Sequence, residues 1–156
     1  MALPKKSHGT AFYIGTNTTA LASETAWTAI GGAYASGTGI GLSWGSTDAT
    51  TFADAVKQTF KTVADAGDIE ISMRLDLADA GQIALKAAAA DKANVPYNFK
   101  IEIDDDNPSA GNNPTKFTFQ CRVMSYEFGP GNTNSLYEAK SKLVLSTVVT
   151  QVLAAA

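Results

Sequence analysis

Cysteine and histidine are nearly missing from this sequence: its 156 residues include one of each, Cys121 and His8. A single cysteine excludes a disulfide framework within the chain. One histidine and one cysteine, far apart, do not compose the usual zinc ligand set. A Ser-His-Asp or Cys-His site would have to recruit His8 from an N-terminal segment without periodic pattern, where nothing supports the imidazole in a catalytic geometry. The phosphate-cradling GxxxxGK loop is missing, and the glycines of Gly37–Gly45 lack the Rossmann spacing followed by a helix. No catalytic, cofactor-binding or metal-binding residue is therefore expected, and no cofactor; the chain is read as non-enzymatic.

Long apolar runs and a basic surplus are missing too. Nothing approaches the roughly 20 apolar residues of a membrane span, and Ala87–Ala90 and the closing VLAAA are far too short. Lys5 and Lys6 are followed by SHGTAFYIG, which has no apolar core of a signal peptide, so the expectation is a chain made in a cytoplasm and soluble there. Twelve Lys and Arg against 15 Asp and Glu give a net charge of −3, with the cations scattered singly. That is not the basic stripe with which a protein neutralises phosphates, so specific DNA binding is not expected.

What is present is alternation. In DIEISMRLDL, from Asp68 to Leu77, Ile69, Ile71, Met73, Leu75 and Leu77 occupy every odd position, and Asp68, Glu70, Ser72, Arg74 and Asp76 every even one. Side chains of a strand point alternately to its two faces, so this pattern predicts a strand with one apolar and one charged face and a strongly specified register. Tyr97, Phe99, Ile101 and Ile103 alternate likewise with Asn98, Lys100, Glu102 and Asp104. Phe117, Phe119, Cys121 and Val123 repeat the pattern until its phase breaks at Met124–Tyr126, where a bulge is predicted. Cys121 thus reads as a small core residue. Leu136–Thr147 is the last strand, and AFYI, WTAI and Val56–Val63 supply shorter ones.

Between Leu77 and Pro96 the period becomes helical. Asp79 followed by Gln82 has the form of a capping box, and the helix runs to about Asp91 or Lys92 with Ile83, Ala87 and Ala90 lining one face. Gly31–Asp54 is rich in Gly, Ser and Thr and holds few large apolar residues, among them Tyr34, Ile40, Leu42 and Trp44. It reads as a long loop or extended hairpin, and loops of that length are commonly functional. Asp105–Pro114 is a hairpin loop. Its acidic start, Asp104–Asn107, is rich in the oxygens that calcium takes, but it lacks the glycine and terminal glutamate of an EF-hand loop and reads as a polar turn.

The organisation expected is an N-terminal arm over 1–10, one β domain over 11–147 with its long loop at about 31–54, and a C-terminal tail over 148–156. The fold class is mainly β: a β-sandwich or partial barrel with one flanking α-helix.

Over residues 60–147 the layout resembles the major tail tube proteins of long, non-contractile-tailed bacteriophages. The residues that carry the resemblance are KTVADAGDIEISMRLDLADAGQIAL (Lys61–Leu85), FKIEIDD (Phe99–Asp105), KFTFQCRVMSYEF (Lys116–Phe128) and SLYEAKSKLVLS (Ser135–Ser146). The match is one of strand order and spacing, with no catalytic signature. It implies a β-sandwich with a flanking helix, a virion structural protein, and homo-hexameric rings stacked into the hollow tube through which phage DNA passes without specific binding. It also implies other tail proteins as partners (tape measure, tail tip, terminator), synthesis in the host bacterial cytoplasm, a final place in the virion tail, and no membrane. Edge-to-edge strands of neighbouring subunits would satisfy the backbone groups that a monomer's sheet edges leave open. Asp68, Glu70, Ser72, Arg74 and Asp76 are then candidates for the lumen wall, whose three acids against one arginine would repel DNA. Tyr34, Ile40, Leu42 and Trp44 are candidates for an inter-ring loop.

The alternative of a different class is a monomeric carbohydrate-binding or adhesin-type β-sandwich module, with Trp27, Tyr34 and Trp44 forming a stacking platform. The tube of a type VI secretion machine or contractile tail is a related alternative with the same general architecture.

Overall fold

Asp68–Arg74 forms a strand whose Ile69, Ile71 and Met73 are buried while Glu70 and Arg74 are exposed, as the alternation requires. The computed structural model describes residues 9–37, 39–105 and 114–153. In chain order the elements are β1 (Ala11–Ile14), β2 (Thr28–Ala29), β3 (Ala33–Gly37), β4 (Ser43–Asp48), β5 (Thr59–Asp65), β6 (Asp68–Arg74), α1 (Ala80–Ala90), β7 (Tyr97–Glu102), β8 (Lys116–Gly129), β9 (Glu138–Leu145) and β10 (Thr150–Val152). His8 and most of the 1–10 arm lie outside the described residues, as do Asp106 and Asn107 of the acidic cluster.

Seven strands follow one another in the antiparallel order β2-β1-β7-β8-β9-β6-β3, and β10 adds to the start of β8. The sheet curls into a half-barrel with α1 on its apolar face, so of the two architectures expected the partial barrel is the one adopted. Ile69, Ile71, Met73, Phe99, Phe119, Cys121, Leu143 and Leu145 from the sheet meet Leu85 and Ala88 of the helix in one core. Phe99 and Phe119 lie opposite each other on neighbouring strands, their rings nearly parallel with centroids 6.2 Å apart. Cys121 is fully buried, and burial pushes its thiol pKa up, so the residue behaves as a small apolar side chain. β8 shifts register between Val123 and Ser125, at the predicted break of phase: Met124 is the extra residue, and it points to solvent.

β6 ends three residues earlier than the alternation does. Leu77 is 80 % exposed and Asp76 lies beyond the strand, because the chain there already turns toward α1. The helix face is also corrected: Gly81, Gln82, Leu85 and Ala88 face the core, whereas Ile83, placed there by its apolarity, is 54 % exposed. Gly81 explains the rotation. Its Cα packs on the backbone of Ala29 so closely that a methyl group would overlap the Ala29 carbonyl, and this contact points the 81/85/88 stripe inward.

Gln82 is buried although polar, since every polar atom of its amide has work. Asp79 accepts from the Gln82 backbone N–H at 2.8 Å, as an N-cap should. The Gln82 side chain does not return to Asp79 as a capping box would have it. Its Nε2 donates to the carbonyls of Arg74 (2.7 Å) and Gly31 (2.9 Å), and its Oε1 accepts from the Asp76 N–H at 3.0 Å.

Candidate assembly surface

Four surfaces are placed by this fold: a polar sheet face, two sheet edges and a projecting ribbon. The polar face lies opposite α1. Across it Asp68, Glu70, Ser72 and Arg74 of β6 sit beside Val144, Lys142, Lys140 and Glu138 of β9. Asp76, the fifth residue of the expected wall, falls outside the strand. Lys142 pairs with Asp68 at 3.1 Å and Arg74 with Glu138 at 2.9 Å.

The register extends the face through Glu127 and Arg122 of β8, then Lys116, Lys100 and Glu102 at the β7–β8 pairing. Asp68, Glu70, Glu102, Glu127 and Glu138 therefore meet Arg74, Lys100, Lys116, Arg122, Lys140 and Lys142. β6 read alone is acidic, but the assembled face is close to balanced, because β9 places Lys142 opposite Glu70 and Lys140 opposite Ser72. That corrects the acid-rich wall expected from one strand.

Lys100 is held especially firmly. Its Nζ lies 2.7 Å from Glu102 Oε1 and stands over the rings of Tyr13 (4.3 Å to the centroid) and Trp27 (5.1 Å). Beside it, Glu24 fastens the 16–27 loop to the sheet. The carboxylate accepts from Thr16 N–H (2.8 Å), Thr16 Oγ1 (2.6 Å), Ala26 N–H (2.9 Å) and Asn98 Nδ2 (2.8 Å). Burial would raise its pKa, but the hydrogen bonds from the side chains of Thr16 and Asn98 and from the backbone of Thr16 and Ala26 outweigh burial and lower it to about 2. Asn98 is fully buried for the same reason, on the face that alternation assigns to solvent. Neither Glu24 nor Asn98 stood out in the sequence, since their burial depends on a loop folding over a strand far along the chain.

The sheet ends at β2 on one side and β3 on the other, and among the described residues no further strand pairs with either. Tyr34 lies on β3, with the Arg74 guanidinium 4.7 Å above its ring. Trp27 adjoins the opposite edge and Trp44 is on the ribbon, so the three aromatics proposed as one glycan platform are not brought together.

Among the described residues β4 and β5 pair only with each other, forming a ribbon separate from the main sheet. Apart from half-buried Ala64 at its base, every residue from Gly41 to Asp65 is exposed. This ribbon is the extended hairpin foreseen in Gly31–Asp54, but its boundaries differ. Of the four candidate inter-ring residues, Leu42 and Trp44 belong to it; Tyr34 is in the sheet, and Ile40 packs against the core. Trp44 is half exposed with Lys61 Nζ 5.5 Å above its ring. Phe52 at the tip is entirely exposed.

No family model matches the sequence, and neither does any curated protein. Solved structures do match the fold along nearly the whole chain. A chain of the anti-feeding prophage baseplate, from a 6-fold symmetrised structure, superposes with a TM-score of 0.72 at 11 % identity, covering 98 % of this chain and 98 % of that one. The SPP1 tail tube gives 0.68 at 12 % identity, over 96 % of this chain and 81 % of that one. A chain of the tail of an empty gene transfer agent particle, refined with C6 symmetry, gives 0.65 at 13 %, over 96 % and 99 %. The curled sheet with its single helix is therefore the fold shared by these tail and baseplate chains, as the resemblance in the sequence implied.

Proposed function

We propose that this chain is a virion structural protein whose copies form stacked hexameric rings, the hollow tail tube through which phage DNA passes. The observation that carries the reading is the shape of the sheet: curled, apolar and helix-covered on one face, polar on the other, and open at both edges. Edge-to-edge addition of copies satisfies the open backbone groups and continues the curl into a closed wall. The fold is shared with the SPP1 tail tube and with chains from assemblies of 6-fold and C6 symmetry, which supports the six-membered ring.

In this reading Asp68, Glu70, Ser72 and Arg74 line the lumen. DNA would meet a wall on which Arg74, Lys100 and Lys142 are paired with Glu138, Glu102 and Asp68 and acids and bases are close to balanced, a surface that neither grips nor strongly repels phosphates. The ribbon is the contact between rings. Tape measure, tip and terminator proteins are the further partners, the chain is made in the host cytoplasm, and its role is passive rather than enzymatic.

Size-exclusion chromatography followed by negative-stain microscopy tests the proposal: rings or tubes are expected, and a protein that stays monomeric at every concentration would overturn it. The ribbon is tested separately. Gly41 N–H already reaches the Ala66 carbonyl at 3.3 Å, so Ser43–Asp65 can be replaced by an Asn-Gly turn without disturbing the sheet. Such a chain should fold and no longer stack. Normal tubes from it would remove the ribbon from the interface.

A further inference from the structure

The ribbon leaves the main sheet at the beginning of β6, where β5 ends at Asp65 and, after Ala66 and Gly67, β6 starts at Asp68. At the other end of β6, about 20 Å away along seven residues of strand, lies an apolar groove of about 520 Å³ lined by Leu75, Leu77, Tyr126, Phe128 and Tyr137, with Lys86 beside them. Leu77, Phe128 and Tyr137 are 80 %, 65 % and 58 % exposed. Large apolar side chains gathered at that exposure mark a surface that a partner covers. Among the described residues Lys86 has no ion-pair partner.

The ribbon tip has the complementary chemistry. Phe52 and Val56 are 113 % and 70 % exposed and flank Asp54. The tip is already ordered: Asp54 Oδ2 accepts from Thr51 N–H (2.7 Å) and Thr51 Oγ1 (2.8 Å), and Thr50 Oγ1 accepts from Gln58 N–H (3.0 Å). An ordered tip loses little conformational entropy on docking. Within one chain tip and groove do not meet, since they occupy opposite poles of the sheet.

We propose that the groove of Leu75, Leu77, Tyr126, Phe128 and Tyr137 receives the ribbon tip, Phe52–Val56, of a second copy of this chain. The inference rests on the proposed reading of the ribbon as the contact between rings, and it names the surface that the ribbon meets. Phe52 and Val56 enter the groove, and Asp54 faces Lys86. Because the two partners lie at opposite poles, the contact is head-to-tail: each copy offers one tip and one groove, and the series propagates along an axis rather than closing on a pair.

Cross-linking tests it, with the buried Cys121 unreactive toward added reagents. Ala53, within the tip, and Ala78, beside the groove, are exposed and are not among the large apolar side chains of the contact. The double variant A53C/A78C, treated with a short bis-maleimide in assembled tubes, should yield a ladder of covalent multimers, and mixed A53C and A78C single variants should yield dimers. Tubes without a ladder, or as much covalent dimer from A53C alone as from the mixed single variants, would overturn the groove as the receptor while leaving the ribbon's role intact. Loss of that role is read independently, from normal stacking by the chain with the Asn-Gly turn. In a second measurement, L77D and F128D should raise the concentration needed for stacking at least about tenfold. Their monomers should melt like the unsubstituted chain, since both side chains are exposed. Unchanged stacking by both variants would also overturn the proposal.

Discussion

Gln82 Nε2 donates a 2.7 Å hydrogen bond to the main-chain carbonyl of Arg74, tying the first turn of α1 to the last residue of β6. The same amide holds Gly31 and Asp76, so one buried side chain joins the helix, the end of the charged strand and the turn before β3. This junction sets how the helix lies on the sheet.

Gln82→Leu keeps the volume and removes the partners, leaving the Arg74 and Gly31 carbonyls and the Asp76 N–H without their bonds. A loss of about 3 kcal/mol in monomer stability is expected, since each buried polar group left unsatisfied costs about 1–3 kcal/mol. Urea denaturation checks it, as a lower midpoint with an unchanged slope.

Gly81→Ala sets two effects against each other. Helix propensity favours alanine by about 1 kcal/mol, but the new methyl would overlap the Ala29 carbonyl, which is backbone and has no rotamer to escape into. Overlap wins, and a net destabilisation of about 2 kcal/mol is expected, read from the same denaturation experiment. A stabilised variant would show that the helix can lift from β2 at little cost.

Glu24 makes stability depend on pH in a definite direction. Its pKa in the folded chain is about 2, below the ordinary 4.5. A lowered carboxylate contributes its full stability above the unfolded value and loses it as pH falls through the folded one. The unsubstituted chain should therefore weaken between pH 4.5 and about 2. Glu24→Gln should be less stable at neutral pH by about 2 kcal/mol, having lost charge-assisted bonds. It should also show a shallower decline across that window in melting temperature against pH.

Arg74 and Glu138 lie on the polar face with their side chains 48 % and 40 % exposed. Arg74→Ala should cost the monomer no more than about 1 kcal/mol, the usual worth of an exposed ion pair. The face itself is tested in the assembly. A cysteine in place of Glu70 should react with a small maleimide entering assembled tubes and be protected from one carried on a bulky polymer. Equal labelling by both would place this face outside the tube.

Much of the fold was legible because alternation is a local property. Ile69, Ile71 and Met73, and Phe119 with Cys121, reveal a two-faced sheet wherever one face is buried and the other wet, and the break at Met124 reveals the bulge. The ribbon was harder to read. With both faces in solvent, the ribbon has no apolar partner to impose a period: the Gly, Ser and Thr of β4 read as loop or extended hairpin, and β5 was legible only as a short strand at Val56–Val63. The same logic explains the helix. Composition marks its extent and Asp79 its start, but its inward face is chosen by Gly81 meeting Ala29, residues 52 positions apart in sequence.

The candidate surface divides in the same way. The even positions of Asp68–Arg74 were bound to share a face once the strand formed, because successive side chains must point to opposite sides. Their electrostatic character was not bound in that way, since Lys142 and Lys140 come from a strand about 70 residues later and turn an acidic strip into a balanced one. Which residues lie back to back on each strand, where the helix starts and where the bulge falls can be read from the amino acids in order, as consequences of backbone period and local hydrogen bonding. Which strands are neighbours, which acids meet which lysines, and that the ribbon and the apolar groove stand at opposite ends of one sheet emerge from the folded chain alone, because those relations depend on contacts between residues distant in the chain.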